Sequence, residues 1–176
     1  MRRLLFIATC ILFSLLSHAQ GVKVNSLQAD FTQTKTVKML GEKMVAKGKM
    51  YYGATDKLHW EYTTPYTYTF IMNGQKVMLK KGTRKDVIDT SRNKMFREIG
   101  RIMMSSVVVT GTGRQDLPLS KQMKSLYKRI TVHFNAKTHT VERVVMYEKN
   151  GDITEVELHN VTLNKPINAT LFHVEG

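Results

Sequence analysis

Apolar and polar residues alternate along most of the chain, the two-residue period of strands with one buried and one wet face. From residue 27 the odd positions Leu27, Ala29, Phe31, Val37 and Met39 are apolar, set against Gln28, Asp30, Thr32, Thr34, Thr36 and Lys38. Only Gln33 and Lys35 interrupt the apolar row. After Gly41 the apolar phase moves to Met44, Ala46, Gly48, Met50 and Tyr52, opposite Lys43, Lys47 and Lys49. Leu58, Trp60 and Tyr62 alternate with Lys57, His59 and Glu61; beyond Pro65, Tyr66, Tyr68, Phe70 and Met72 alternate with Thr67 and Thr69. Gly53-Ala54-Thr55-Asp56 reads as a turn and Asn73-Gly74 as a hairpin. Strand character returns at Ile130, Val132 and Phe134, then over residues 141–147 and 153–163, with turns at 135–140 and at Asn150-Gly151.

The period changes once. Met95, Phe96, Ile99, Ile102, Met103 and Ser106 follow helical spacing, with Arg97, Glu98 and Arg101 on the other face. Residues 95–106 therefore read as one amphipathic helix, capped by Asn93 or Ser91. Val107-Val108-Val109 is β-prone, and Gly111-Thr112-Gly113 reads as a flexible exit. Residues 120–128 fit a helix, while 117–130 fit an extended segment equally well. The expected fold is mainly β: a strongly curved antiparallel sheet, or incomplete barrel, with the helix across its concave face.

The first residues follow another logic. Arg2 and Arg3 precede an apolar run over residues 4–16, and Ser17-His18-Ala19 is a small-x-small cleavage site, so residues 1–19 read as a signal peptide and 20–176 as one domain. The run is shorter than the roughly 20 residues a spanning helix needs. The single cysteine, Cys10, lies inside the signal, and Thr9 before it does not fit a lipobox. A mature chain without cysteine has no disulfide and no thiolate chemistry. Loss of the two arginines lowers the formal net charge from +13 by two, which still leaves a strongly basic protein. The cations are spread along the chain without a dense run interleaved with stacking aromatics, which argues against nucleic acid. Attraction to anionic lipid or an acidic partner, and a merely solvated basic face, both stay open.

Candidate chemistry is sparse. His59, His133, His139, His159 and His173 have no partner at metal-ligand spacing, and no GxSxG, P-loop or dinucleotide motif occurs. Asp86, Asp89, Glu142, Glu148, Asp152, Glu155 and Glu157 sit near lysines or in turns and read as solvated faces. Asn160-Val161-Thr162 and Asn168-Ala169-Thr170 match the glycosylation tripeptide, which is common by chance. Neither a catalytic site nor a cofactor is expected. More distinctive are the methionines on the apolar rows, among them Met39, Met44, Met50, Met72, Met95, Met103 and Met104, beside Phe31, Trp60, Tyr68 and Phe70. For any single methionine an ordinary core position is the simpler explanation. As a set, unbranched polarizable side chains suit a cavity that repacks around flexible alkyl chains.

The same residues carry a family likeness. Ala29-Asp30-Phe31-Thr32-Gln33 resembles the opening strand of LolA, the periplasmic carrier of outer-membrane lipoproteins. Gly48-Lys49-Met50-Tyr51-Tyr52, Lys57-Leu58-His59-Trp60-Glu61-Tyr62 and Pro65 are similar to its next two strands, and Ile71-Met72-Asn73-Gly74 with Lys76-Val77 to the following hairpin. Asn93-Lys94-Met95-Phe96 onward to Met104 resembles its lid helix, and residues 164–172 its closing segment. The resemblance implies a non-enzymatic, monomeric periplasmic carrier whose incomplete barrel holds lipoprotein acyl chains under helical lids. It implies receipt from an inner-membrane ABC lipoprotein-releasing transporter and delivery to an acceptor at the outer membrane. Phe31, Trp60, Ile99 and Met103 match its cavity-facing positions; Met50, Leu58, Tyr68, Phe70, Met72 and Phe96 complete the expected acyl-chain cavity. The sequence departs from the pattern in three places. The N-terminal amphipathic helix is nearly absent, Ala54-Thr55 stands where many carriers have an arginine, and the region after the helix, 109–121, is short for the usual strand. A binding module for another hydrophobic molecule, a solid-core scaffold or adhesion domain, and a hydrolase are the alternatives.

Overall fold

The computed structural model describes residues 23–54, 56–108 and 110–174. The expected signal segment with Cys10 lies outside them, as do Thr55 and Val109. Ten strands run β1 (Ser26–Val37), β2 (Glu42–Gly53), β3 (Lys57–Thr64), β4 (Tyr68–Asn73), β5 (Lys76–Lys81), β6 (Arg84–Asp89), β7 (Arg114–Asp116), β8 (Tyr127–Phe134), β9 (Val141–Glu148) and β10 (Ile153–Leu163). Helix α1 (Lys94–Val108) separates β6 from β7, and one-turn α2 (Met123–Leu126) precedes β8. All ten strands form one antiparallel sheet in the order β6-β5-β4-β3-β2-β1-β10-β9-β8-β7. Two meanders are thus joined by the pairing of the first strand with the last.

Register follows the alternation. Leu27, Ala29 and Phe31 lie opposite Tyr52, Met50 and Gly48, and Met50 in turn lies opposite Trp60. These rows face one side and form, with Ile130, Val132, Val144, Val156 and Leu158, a single buried cluster. The sheet is strongly curved and does not close. Its free edges are blunted in the usual manner: β6 carries Arg84, Lys85 and Asp86, and β7 is three residues long.

Gly48 sits at an irregularity in the sheet. The pairing of β2 with β3 shifts register between Lys47 and Gly48. A Cβ at Gly48 would overlap the Glu61 carbonyl oxygen and lie 2.6 Å from the Phe31 ring, which occupies the space a side chain would take. Phe31 then stacks at 4.4 Å from Trp60 and edge-on to Tyr62 at 5.2 Å. A second bulge re-phases β10 against β1, where Asn160 takes a positive φ of 52° and donates to Asp30 Oδ2.

The convex face also has a covered region. Residues 164–174 cross it, ending in a 3-10 turn at Ala169–Phe172 that buries Phe172 beside Gly53. His59 is buried there and donates from Nδ1 to the Leu171 carbonyl at 2.6 Å, and Asn73 donates to the Phe172 carbonyl. The outward register expected for His59 is thus observed, beneath a strap instead of in water. Asn168, within a glycosylation tripeptide, caps this turn by accepting from Thr170.

Helix α1 is longer than its spacing predicts. It runs through Val107 and Val108, whose β preference yields to the continuing ladder of helical hydrogen bonds. No helix among the described residues is long and apolar enough to cross a membrane.

Candidate functional site

Strands β3 and β9 stand four steps apart in the sheet, about 19 Å if it were flat. Curvature instead brings their inner faces around one apolar cleft of about 180 Å³. Its first wall is Trp60 and Tyr62 of β3 with Gln33 of β1; its second is Val144 and Met146 of β9 with Val156 and Leu158 of β10. The roof is α1, which presents Ile99, Ile102 and Met103. Alternation sets the walls and the 3–4 spacing sets the roof. Gly100 lets the helix come down: a Cβ there would overlap the Met72 sulfur.

Among the residues expected at the site, Trp60, Ile99 and Met103 line this cleft. Phe31, Met50, Leu58, Phe70 and Met72 are buried in the packed core around it, while Tyr68 and Phe96 are half-buried against that core. The methionine set divides. Met50 and Met72 are core, Met103 and Met104 pack beneath the helix, and Met39, Met44 and Met95 are exposed. The last three sit in a turn, on a stretch of β2 with no β3 neighbour and at the helix start, where period alone gives no burial.

The cleft lining not anticipated comes mainly from β9 and β10, together with Gln33, Tyr62 and Ile102. Gln33 had a signal in the sequence, since a polar residue at an inward position of an otherwise apolar row needs a partner. It accepts a hydrogen bond from the Tyr62 hydroxyl at 2.9 Å. Burial first of all pushes the Tyr62 phenol up to about 12, so the ring is neutral at any ordinary pH. The Trp60 indole N–H is buried without a well-formed hydrogen bond among the described residues; the Tyr62 oxygen is the acceptor within its reach. Chemically, the site is an apolar slot with two neutral polar groups and one unmet donor. Among the described residues no group of three His, Asp or Glu side chains is placed to hold a metal ion.

Larger surface hollows lie elsewhere. One on the convex face, about 460 Å³, is lined by Arg114, Arg129, Arg143, His133, Asp116 and Glu155 among others. It is a lattice of paired charges: Arg143 meets Glu155 at 3.0 Å, and Arg129 lies over Tyr147. Next to arginines and partly desolvated, His133 has its pKa lowered, chiefly by burial.

The family model of the outer membrane lipoprotein carrier protein LolA matches residues 22–175. No curated protein matches the chain. Among solved structures, a LolA superfamily protein from Nitrosomonas europaea aligns with a TM-score of 0.47 at 7% identity, covering 85% of this chain and 90% of that one. A putative outer membrane lipoprotein-sorting protein domain from Vibrio parahaemolyticus gives 0.45 at 11%, covering 84% and 88%. The Mycobacterium tuberculosis lipoprotein LppX gives 0.42 at 14%, covering 82% and 89%.

Proposed function

We propose, since the chain belongs to the LolA family of outer membrane lipoprotein carrier proteins, that it is an exported, non-enzymatic carrier of lipoprotein acyl chains. The observation that supports this reading is the apolar cleft between α1 and the concave sheet, walled by Trp60 and roofed by Ile99 and Met103. In this reading the protein works in the periplasm, receiving its load from an inner-membrane ABC transporter and passing it to an acceptor at the outer membrane.

The size of the cleft defines the working cycle. At about 180 Å³ it takes a short stretch of one chain, whereas pockets for drug-sized ligands run from about 300 to 1,000 Å³. Loading therefore moves α1 away from the sheet, its apolar stripe passing from the strands onto the chain. Parting three large side chains from the sheet costs on the order of 5–9 kcal/mol at about 1.5–3 each, recovered as they cover the chain. A buried chain of about sixteen carbons adds about 13 kcal/mol at 0.8 per methylene, so the loaded state is favoured with Met103 still dry. The stripe of α1 closes the slot against water when it is empty.

The test is uptake. The mature protein is to take up a fluorescent fatty acid with a shift in Trp60 emission, and to retain acyl species in native mass spectrometry. Met103→Asp places a charge in a dry site and weakens uptake by about 2–4 kcal/mol. A folded Met103→Asp protein with wild-type uptake would remove the cleft from the function. Failure of the wild type to take up any acyl chain would remove the carrier reading itself.

A further inference from the structure

Six of the large apolar side chains exposed on the described residues, Met39, Leu40, Met44, Val45, Tyr66 and Leu126, gather at one end of the sheet. The pairing places them together. Thr36 lies opposite Ile153, so the β1–β2 turn stands beside the β9–β10 turn, and Lys38 N–H donates to Asp152 there. Lys149 N–H donates to the Leu126 carbonyl, which brings α2 to the same end. Tyr66 follows the end of β3, whose last pair is Thr64 with Lys47. Strand β2 thus runs on from Ala46 back to Glu42 without a β3 partner, an open edge of about 15 Å, while β1 beside it stays paired with β10 as far as Thr36.

The hairpin exposes apolar side chains on both faces of its open edge. Met44 and Val45 point to opposite sides, 58% and 49% exposed, and Met39 at the tip is 91% exposed. Around it stand exposed lysines: Lys38, Lys43, Lys81, Lys124 and Lys149. Among the acids here Glu148 and Asp152 are held by Lys35 at 3.1 and 3.4 Å, and the exposed Glu42 of the hairpin is outnumbered by the lysines, which leaves the rim with a surplus of positive charge. The cleft lies toward the same end: Gln33, Tyr62 and Met146 of its lining come from the strand halves nearest the rim, and the Tyr62 ring is 5.9 Å from that of Tyr66.

We infer that this rim docks on an anionic bilayer surface, with the 38–45 hairpin dipping its tip among the acyl chains and the lysines resting on the headgroups. A turn and strand edge that show apolar side chains on both faces, with exposed lysines between them, suit a bilayer surface, whereas a protein partner would ask for one apolar face and one wet one. Flanking cations at headgroup level match the charge of such a surface. The docking stands independently of the carrier reading and adds a place for it: the slot would face the phase from which an acyl chain enters or into which it leaves.

Sedimentation with lipid vesicles tests it, using the mature protein at low ionic strength. Expected is co-sedimentation with phosphatidylcholine vesicles containing about 30 mol% phosphatidylglycerol and little with pure phosphatidylcholine. Binding should fall away as salt rises from about 50 to 500 mM. Met39→Asp with Leu40→Asp lowers partitioning about ten-fold or more, and Lys43→Glu or Lys149→Glu lowers it by about five-fold for each charge removed. Fluorescent fatty-acid uptake measured without vesicles stays at wild-type level in all of these, which shows the variants folded and keeps the slot a separate question. No sedimentation of the wild type with anionic vesicles overturns the inference. So does equal sedimentation of the hairpin variant, which would leave the rim to a protein partner.

Discussion

Replacing Gly48 with alanine tests the curvature on which the cleft depends. The added Cβ overlaps the Glu61 carbonyl oxygen, a backbone atom that cannot rotate aside, and lies 2.6–2.7 Å from two Phe31 ring carbons. Relief requires β2 and β3 to separate at their bulge or Phe31 to leave its stack on Trp60. Overpacking of this kind costs about 1–3 kcal/mol, and a fixed backbone partner puts Gly48 at the upper end. The gain from a less flexible unfolded chain is about 0.5–1 kcal/mol. The net loss is therefore about 2 kcal/mol, or about 4–8 °C in Tm for a chain of this size. Urea denaturation followed by emission of Trp60, the only tryptophan, measures it directly. The control is Gly53→Ala, whose Cβ comes tightly against side chains only, the Phe172 ring at 3.3 Å, and should cost under about 1 kcal/mol because that ring need give only a few tenths of an ångström. Should Gly48→Ala stay within about 0.5 kcal/mol of wild type, the account of the bend as a position closed to any side chain is wrong.

Two further outcomes concern pH. Because burial raises the Tyr62 phenol from 10.0 to about 12, the unfolded chain ionises first, and stability is full below pH 10 and lost as pH climbs toward 12. Tyr62→Phe should flatten that part of a Tm-against-pH curve while sacrificing the Gln33 bond. The Asp152 carboxylate is held below its usual range, first by the Lys38 backbone N–H and then by Asn150 and Lys35. Its contribution is present above about pH 4 and disappears as pH falls through the lowered value. Asp152→Asn should therefore lose stability at pH 7 and show a shallower decline on acidification; an unchanged acid limb would deny Asp152 that role.

The inner rows from Leu27 to Met72 and from Ile130 to Leu163 were legible because alternation is a local property, and so was the stripe Phe96, Ile99, Ile102, Met103. Strand β6 was not: Arg84, Lys85 and Asp86 serve as edge protection and carry no period. Nor was β7, three exposed residues held only by Thr131 and its neighbours on β8. Val107 and Val108 misled through propensity, which a helix already under way overrides. The second wall of the cleft, Val144 to Leu158, depends on β10 crossing back to β1, a pairing between distant parts of the chain that no window of residues displays. Exposure of Met39 and Met44 depends likewise on how far β3 extends beside β2. Gln33 was the informative exception, an inward polar residue whose partner, Tyr62, was visible in the same pattern.

The seam between β1 and β10 has a consequence for how the polypeptide assembles. A chain appearing from its N-terminus can zip β1 through β6 by successive hairpins, each closing a short loop at small entropic cost. Throughout that time the outer edge of β1, with Leu27 and Phe31 half-covered, offers unpaired amides to any neighbouring strand. Only when Ile153–Leu163 arrives is that edge capped, and the residues just after it complete the closure: Asn164 accepts from Asn25 N–H and donates to the Lys23 carbonyl, tying the two ends together. The fold is thus latched by its last-made segment, and a chain cut before residue 153 would keep its first six strands pairable but leave an adhesive edge in place of a slot.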